Sequence, residues 1–239
     1  MYSFESRIRF SETGRDHRLT IPMLLNYFQD CSTQQSEDLG VGMEYLEQRD
    51  AAWVLNFWQV DIIRRPLLGE KVIIGTQPYE FKGVLGFRNY IMTDEKGEKL
   101  ALANTIYTLL NMKKHVPCRP DDKIREAYVL GEKLEMEYLP RKIVFSEEGE
   151  SAEPIAVARH HIDSNGHVNN VQYVDMAVDL LPAGFAADRI TASYHISAMP
   201  GDVIYPRIHS HEDQFGVDLR REDQESFCRI NFFDRSNLR

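Results

Sequence analysis

The apolar residues of this chain switch to helical spacing twice, and both times in the same surroundings. In LTIPMLLNYFQDCSTQQSEDLG, Ile21, Leu24, Phe28 and Cys31 recur on one face, which predicts an amphipathic helix. Thr20 is its expected N-cap, Pro22 suits the first turn and Gly40 follows as a stop. In VNNVQYVDMAVDLLPAG, Val171, Val174, Val178 and Leu181 form the stripe, Asn169 or Asn170 can cap, and Pro182 ends the run. Nearly everything else reads as strand.

SFESRIRF precedes the first helix and IAVARHHI the second. Four β-rich runs follow each helix: WVLNFWQVDII, KVIIGTQPYEF, GVLGFRNYIMT and KLALANTIYTLLN in the first half, then ITASYHI, VIYPRIHS, FGVDLRR and FCRINFF. RRPLLGEKVII and SAMPGDVIY repeat one turn, with Gly and an acid ahead of a strand. The order is therefore β-α-β-β-β-β, twice. This predicts an α+β fold of two units, each with a long helix packed on an antiparallel sheet. Joining the sheets side by side would cover an edge that one unit alone exposes. The expected division is 1–114, a charged, Pro-bearing connector over 115–154, and 155–239. Within the connector, REAYVLGEKL is a candidate short helix.

Composition narrows the function. A net charge of −9 over 239 residues argues against a general nucleic-acid binder. No apolar run reaches the ~18–20 residues of a membrane span, and the charged N-terminus has no signal-peptide core. Cys31, Cys118 and Cys228 are far apart without a CxxC pair, as expected of reduced packing thiols in a cytoplasmic protein. No nucleotide loop is present. His160, His161 and His167 lack metal spacing, adjacent histidines on a strand would face opposite ways, and the His209/His211 pair has no further ligand. Neither a metal nor another cofactor is expected.

The chemistry-bearing stretch is HIDSNGHVNNVQYVDM, residues 161–176. It reads as a strand end, a polar loop and a helix start, where free amides and a partial positive charge suit a developing oxyanion. Asp163 is placed to act as general base or nucleophile, Asn165 to orient water or carbonyl, and His167 to exchange protons. Spacing alone favours a structural reading: an Asx-type turn at Asp163 and Asn165, a cap at Asn169 and a packed His167.

DSNGHVNNVQY resembles the DxNxHVNNxxY signature of the acyl-acyl-carrier-protein thioesterase family of plants and bacteria, at Asp163, Asn165, Gly166, His167, Val168, Asn169, Asn170 and Tyr173. Members of that family are double hotdogs, in agreement with the repeat. The resemblance implies hydrolysis of a fatty acyl-phosphopantetheine thioester on acyl carrier protein, with Asp163, Asn165 and His167 catalytic. One departure stands out. Where the family pattern has an acid followed by Cys, this chain has Ser197 and Ala198. With His17 set against His167, Thr13 falls on Asp163 and Arg15 on Asn165, so the first copy is expected to be catalytically empty and to bind the acyl chain. Val168, Asn169, Trp53, Phe57 and Trp58 are the expected substrate contacts. Arg64, Arg65, Lys113, Lys114, Arg141 and Lys142 are the expected landing points for an acidic carrier protein. A homodimer is left open. The rival readings are an acyl-CoA thioesterase and a non-catalytic acyl-thioester binder.

Overall fold

A computed structural model describes residues 1–145, 149–211 and 213–234. In chain order the elements are β1 (Tyr2–Arg7), α1 (Ile21–Asp38), α2 (Met43–Glu47), β2 (Ala51–Ile62), β3 (Lys71–Lys82), β4 (Leu85–Asp94), β5 (Lys99–Asn111), β6 (Val116–Pro117) and α3 (Asp122–Ala127). Then come β7 (Glu150–Ser151), β8 (Ile155–Ala156), α4 (Asn170–Val178), β9 (Arg189–Tyr194), β10 (Val203–His211), β11 (Gln214–Arg220) and β12 (Ser226–Phe233). Residues 1–56 and 62–138 form one unit; residues 57–61 join the described chain from Leu139 onward in the other. No helix among the described residues is long and apolar enough to cross a membrane.

In the first unit the antiparallel strand order is β1-β3-β4-β5-β2, with β6 paired to β5. Helix α1 packs on β1 and β3. Its start is fixed by the Thr20 hydroxyl, which accepts the Met23 amide at 3.4 Å. Its buried stripe is Leu24, Phe28, Cys31 and Gln35, whereas Ile21 is only half-buried. Each fully buried Leu or Phe there contributes roughly 1.5–3 kcal/mol of hydrophobic stabilisation.

In the second unit residues 57–61 of β2 pair with β9, followed by β12, β11 and β10, and β7 and β8 both pair with β10. Helix α4 lies on β11 and β12 and buries Val171, Val174 and Ala177. It stops at Val178, one turn earlier than its apolar stripe predicts, so Leu181 lies beyond it. Each unit is thus a hotdog, a helix laid on an antiparallel sheet, and the chain is an α+β double hotdog.

One expectation is corrected. IAVARHHI is not one strand: β8 covers only Ile155–Ala156, and Arg159–His161 is a 3-10 turn. That turn brings the His160 and His161 rings edge to face at 4.2 Å instead of onto opposite faces. It is held by the His161 Nδ1, which accepts the Ala158 amide at 3.0 Å. The segment after α3 is anchored by buried side chains. Leu134 donates its amide to the fully buried Asn89 Oδ1 (3.1 Å), and the Tyr138 hydroxyl donates to the same oxygen (2.9 Å). In the second unit the Leu139 amide donates to Gln59 Oε1 at 2.8 Å. Amides buried within strands, which look misplaced in the sequence, pin the connector to the sheet and so satisfy their own hydrogen-bonding needs.

Candidate active site

The polar loop after the 3-10 turn is a tight hairpin. Ile162 and Val168 form its base bridge, the Asp163 amide donates to the His167 carbonyl (2.9 Å), and the Gly166 amide donates to the Asp163 carbonyl (3.1 Å). Gly166 has φ +79°, the left-handed region that closes the turn. Within it the Asn165 amide donates to Asp163 Oδ1 at 2.8 Å, an Asx turn that fixes the carboxylate. Asp163 and His167 are half-buried and Asn165 is exposed.

The loop runs directly into α4. The Asn169 side chain caps the helix by accepting the Val171 amide at 2.9 Å, and the Asn169 amide donates to the His161 carbonyl at 2.9 Å. The Val168 amide donates to the Ala198 carbonyl (3.0 Å), which ties the loop to the turn before β10. In that turn the Ala198 amide donates to the Tyr173 hydroxyl at 2.8 Å, and both residues are buried. Burial, before any other cause, pushes the Tyr173 phenol well above its usual value. The Tyr194 hydroxyl donates to the Asn170 carbonyl at 3.0 Å. Sequence reasoning missed this tie between helix and turn, because no spacing rule links Tyr173 to Ala198.

The first unit carries the same loop, and its hydrogen bonds set the correspondence. Thr13 bridges Leu19, the Gly14 amide donates to the Arg18 carbonyl (3.0 Å), and the Thr20 amide donates to the Glu12 carbonyl (2.9 Å). His17, at φ +58°, takes the place of Gly166. The expected pairing is therefore one residue out: Gly14, Asp16 and Arg18 stand where Asp163, Asn165 and His167 stand, because the positive-φ position and not the shared histidine marks the register. The Leu19 amide donates to the Pro66 carbonyl (2.9 Å) as Val168 does to Ala198, so Arg65 and Pro66 correspond to Ser197 and Ala198. Asp16 is ion-paired with Arg65, whose Nη1 also donates to the Leu19 carbonyl at 3.2 Å. Ser197, in contrast, is exposed.

The remaining predicted residues scatter. Val168 is buried and Asn169 caps. Phe57 and Trp58 are fully buried on successive positions of β2, opposite Ser193 and Ala192, and so face opposite ways. Trp53 belongs to a first-unit cluster with Val41, Tyr45, Leu109, Ile124 and Tyr128, stacked on Phe81 at 6.0 Å. Two surface concavities, of about 430 and 230 Å3, are lined respectively around Tyr205–Arg207 and around Arg119 and Arg125, and no residue of the loop lines either. Of the expected landing residues, Arg64 is engaged by Glu70 (2.6 Å) and Asp94 (3.6 Å), and Arg65 by Asp16, whereas Lys113 and Lys114 are exposed beside the β5–β6 turn. Among the described residues no His, Cys, Asp and Glu cluster has the makings of a metal site.

Comparison with known proteins agrees with the geometry. The family model described as the acyl-ACP thioesterase N-terminal domain matches residues 1–128, and that of the C-terminal domain matches residues 145–231. The chloroplastic acyl-[acyl-carrier-protein] hydrolase FATB3 of Cuphea viscosissima is 26% identical over 193 residues, covering 73% of this chain and 45% of that protein. The chain spans about half the length of the curated relatives it matches. Among solved structures, an acyl-ACP thioesterase from Bacteroides thetaiotaomicron shares the fold at a TM-score of 0.88 and 22% identity, covering 97% of this chain and 96% of that one. The 12:0-ACP thioesterase from Umbellularia californica does so at 0.84 and 18%, with coverage of 97% and 96%. With both domain models matched in order along the chain, the protein belongs to the acyl-ACP thioesterase family.

Proposed function

We propose that the protein hydrolyses the thioester of a fatty acyl group carried on acyl carrier protein and releases the free fatty acid. The observation that carries this reading is the carboxylate of Asp163, held by the Asn165 amide at 2.8 Å in the loop that enters α4. Family membership supplies the substrate class, and the names of the relatives agree with it.

In this reading Asp163 takes a proton from water as the hydroxide adds to the thioester carbonyl carbon. Negative charge builds on the carbonyl oxygen, where the positive end of α4 favours it. Asn169 and its backbone carbonyl already occupy the amides of Val171 and Gln172, so the Asn170 amide is the first candidate donor. Collapse breaks the carbon–sulfur bond, and the proton held by Asp163 or passed through His167 goes to the leaving thiolate. Asn165, with its side chain in solvent, is free to orient water. Cys chemistry is not invoked, since Ala198 stands where the family pattern has Cys.

The first unit is assigned acyl binding without hydrolysis. Gly14 supplies no carboxylate at the position of Asp163, and Asp16 is neutralised by Arg65. Turnover on acyl carrier protein and on coenzyme A carrying the same graded acyl chains tests the proposal. Faster release from the carrier protein supports it, faster release from coenzyme A transfers the activity to that thioester, and binding without release makes the protein an acyl-thioester binder.

A further inference from the structure

The two loops are built alike but are fastened differently. In the second unit the buried Ala198 amide donates to the Tyr173 hydroxyl at 2.8 Å. The corresponding positions in the first unit are Pro66 and Leu24, by the shared bonds that align Leu19 with Val168 and Thr20 with Asn169. Proline has no amide to donate and leucine has no atom to accept. Donor and acceptor are therefore absent together in the first unit and present together in the second, as a buried bond requires.

We propose that Tyr173 is the positioning residue of the candidate site: it holds the turn at Ala198, and through the Ala198 carbonyl it holds the Val168 amide and with it the Asp163–His167 hairpin. This rests on the hydrolase reading above. The tie runs from the second turn of α4 to the turn before β10 and back to the loop, Tyr173 to Ala198 to Val168, at 2.8 and 3.0 Å. It anchors the loop from beneath and touches neither Asn165 nor Ser197, which stay exposed. The first unit reaches the same backbone by other means, a proline at the turn and the Arg65 clamp on Asp16 and the Leu19 carbonyl. A clamp of that kind in the second unit would occupy the side chain at position 165. A bond made from below leaves that side chain free for substrate or water, so the manner of fastening follows from the loop having work to do.

The test uses the full chain as wild type, Tyr173→Phe, Ala198→Pro and the double variant, with steady-state hydrolysis of acyl carrier protein thioester and amide hydrogen exchange at Val168. Tyr173→Phe keeps the ring and strands the Ala198 amide. It is expected to lower kcat about tenfold through misplacement of the loop, with KM unchanged and faster Val168 exchange. Tyr173→Phe with Ala198→Pro removes donor and acceptor together, as the first unit does, and is expected to recover both Val168 protection and kcat. A ring that merely fills space would not be rescued by proline at position 198. Wild-type kcat and Val168 exchange in Tyr173→Phe, or no recovery in the folded double variant, overturns the proposal. A wild type that releases no fatty acid overturns the hydrolase reading instead, and exchange at Val168 still decides whether the tie holds the loop.

Discussion

Arg65 is ion-paired with Asp16 of the first-unit loop. The corresponding residues of the second unit are Ser197 and Asn165, both exposed. One backbone design thus appears once clamped and once open, and the open copy is the one with a carboxylate at the head of the hairpin. Partly exposed ion pairs contribute only about 0–1 kcal/mol, so the clamp matters more for which side chains it occupies than for stability.

The left-handed corner of each loop gives a paired prediction. Gly166 has φ +79° and open space where a Cβ would sit. Gly166→Ala therefore costs about 1–2 kcal/mol from backbone conformation alone. His17 bears the same conformation at φ +58°, and His17→Gly is neutral or stabilising by up to about 1 kcal/mol, since the glycine's greater chain entropy offsets part of the relief. Denaturant midpoints at constant slope measure both.

Glu12 sets part of the acid limb of stability. Burial acts to raise its pKa, but the Arg9 amide (2.8 Å), the Arg9 guanidinium (2.7 Å) and the Tyr27 hydroxyl (2.8 Å) together hold it below its usual 4.5. The unfolded chain then binds the proton more readily than the folded one. The stabilisation is complete above 4.5 and is lost as pH falls through the lowered folded value. Glu12→Gln flattens that part of the profile, as thermal unfolding followed from pH 7 down to about 3 would register.

The cysteines are expected to be bystanders. Burial pushes Cys31 up to about 12, raises Cys118, and drives Cys228 well above the usual thiol value. Thiolate is the reactive form, so iodoacetamide at neutral pH should leave the proposed hydrolysis intact, and mass spectrometry should find Cys31 and Cys228 labelled only after denaturation.

The sequence made the helices legible because caps and apolar stripes are local: Thr20 and Asn169 cap where expected, and Leu24, Phe28, Val171 and Val174 are buried. The repeat was legible in element order and in the paired Gly-acid turns, where Gly69 and Gly201 both have positive φ. The register between the two loops was not, since identical histidines drew His17 onto His167 while the backbone matches His17 with Gly166. The anchoring of the connector was not legible, because what holds it, Asn89 and Gln59, lies more than forty residues away. The loop residues Asp163 to Asn169 sit together as one continuous motif must. Trp53, Phe57 and Trp58 were grouped by proximity along one strand, and alternation of that strand together with its division between units separates them.

The most direct test replaces Asp163 by Asn. The amide oxygen can still accept the Asn165 amide, so the Asx turn survives while the proposed base or nucleophile is removed. Single-turnover release of fatty acid from acyl carrier protein should then fall by about 10²–10⁴-fold, with melting temperature and acyl-protein binding held at wild-type values. Release at the wild-type rate by Asp163→Asn would mean that the carboxylate only shapes the turn, and would contradict the account.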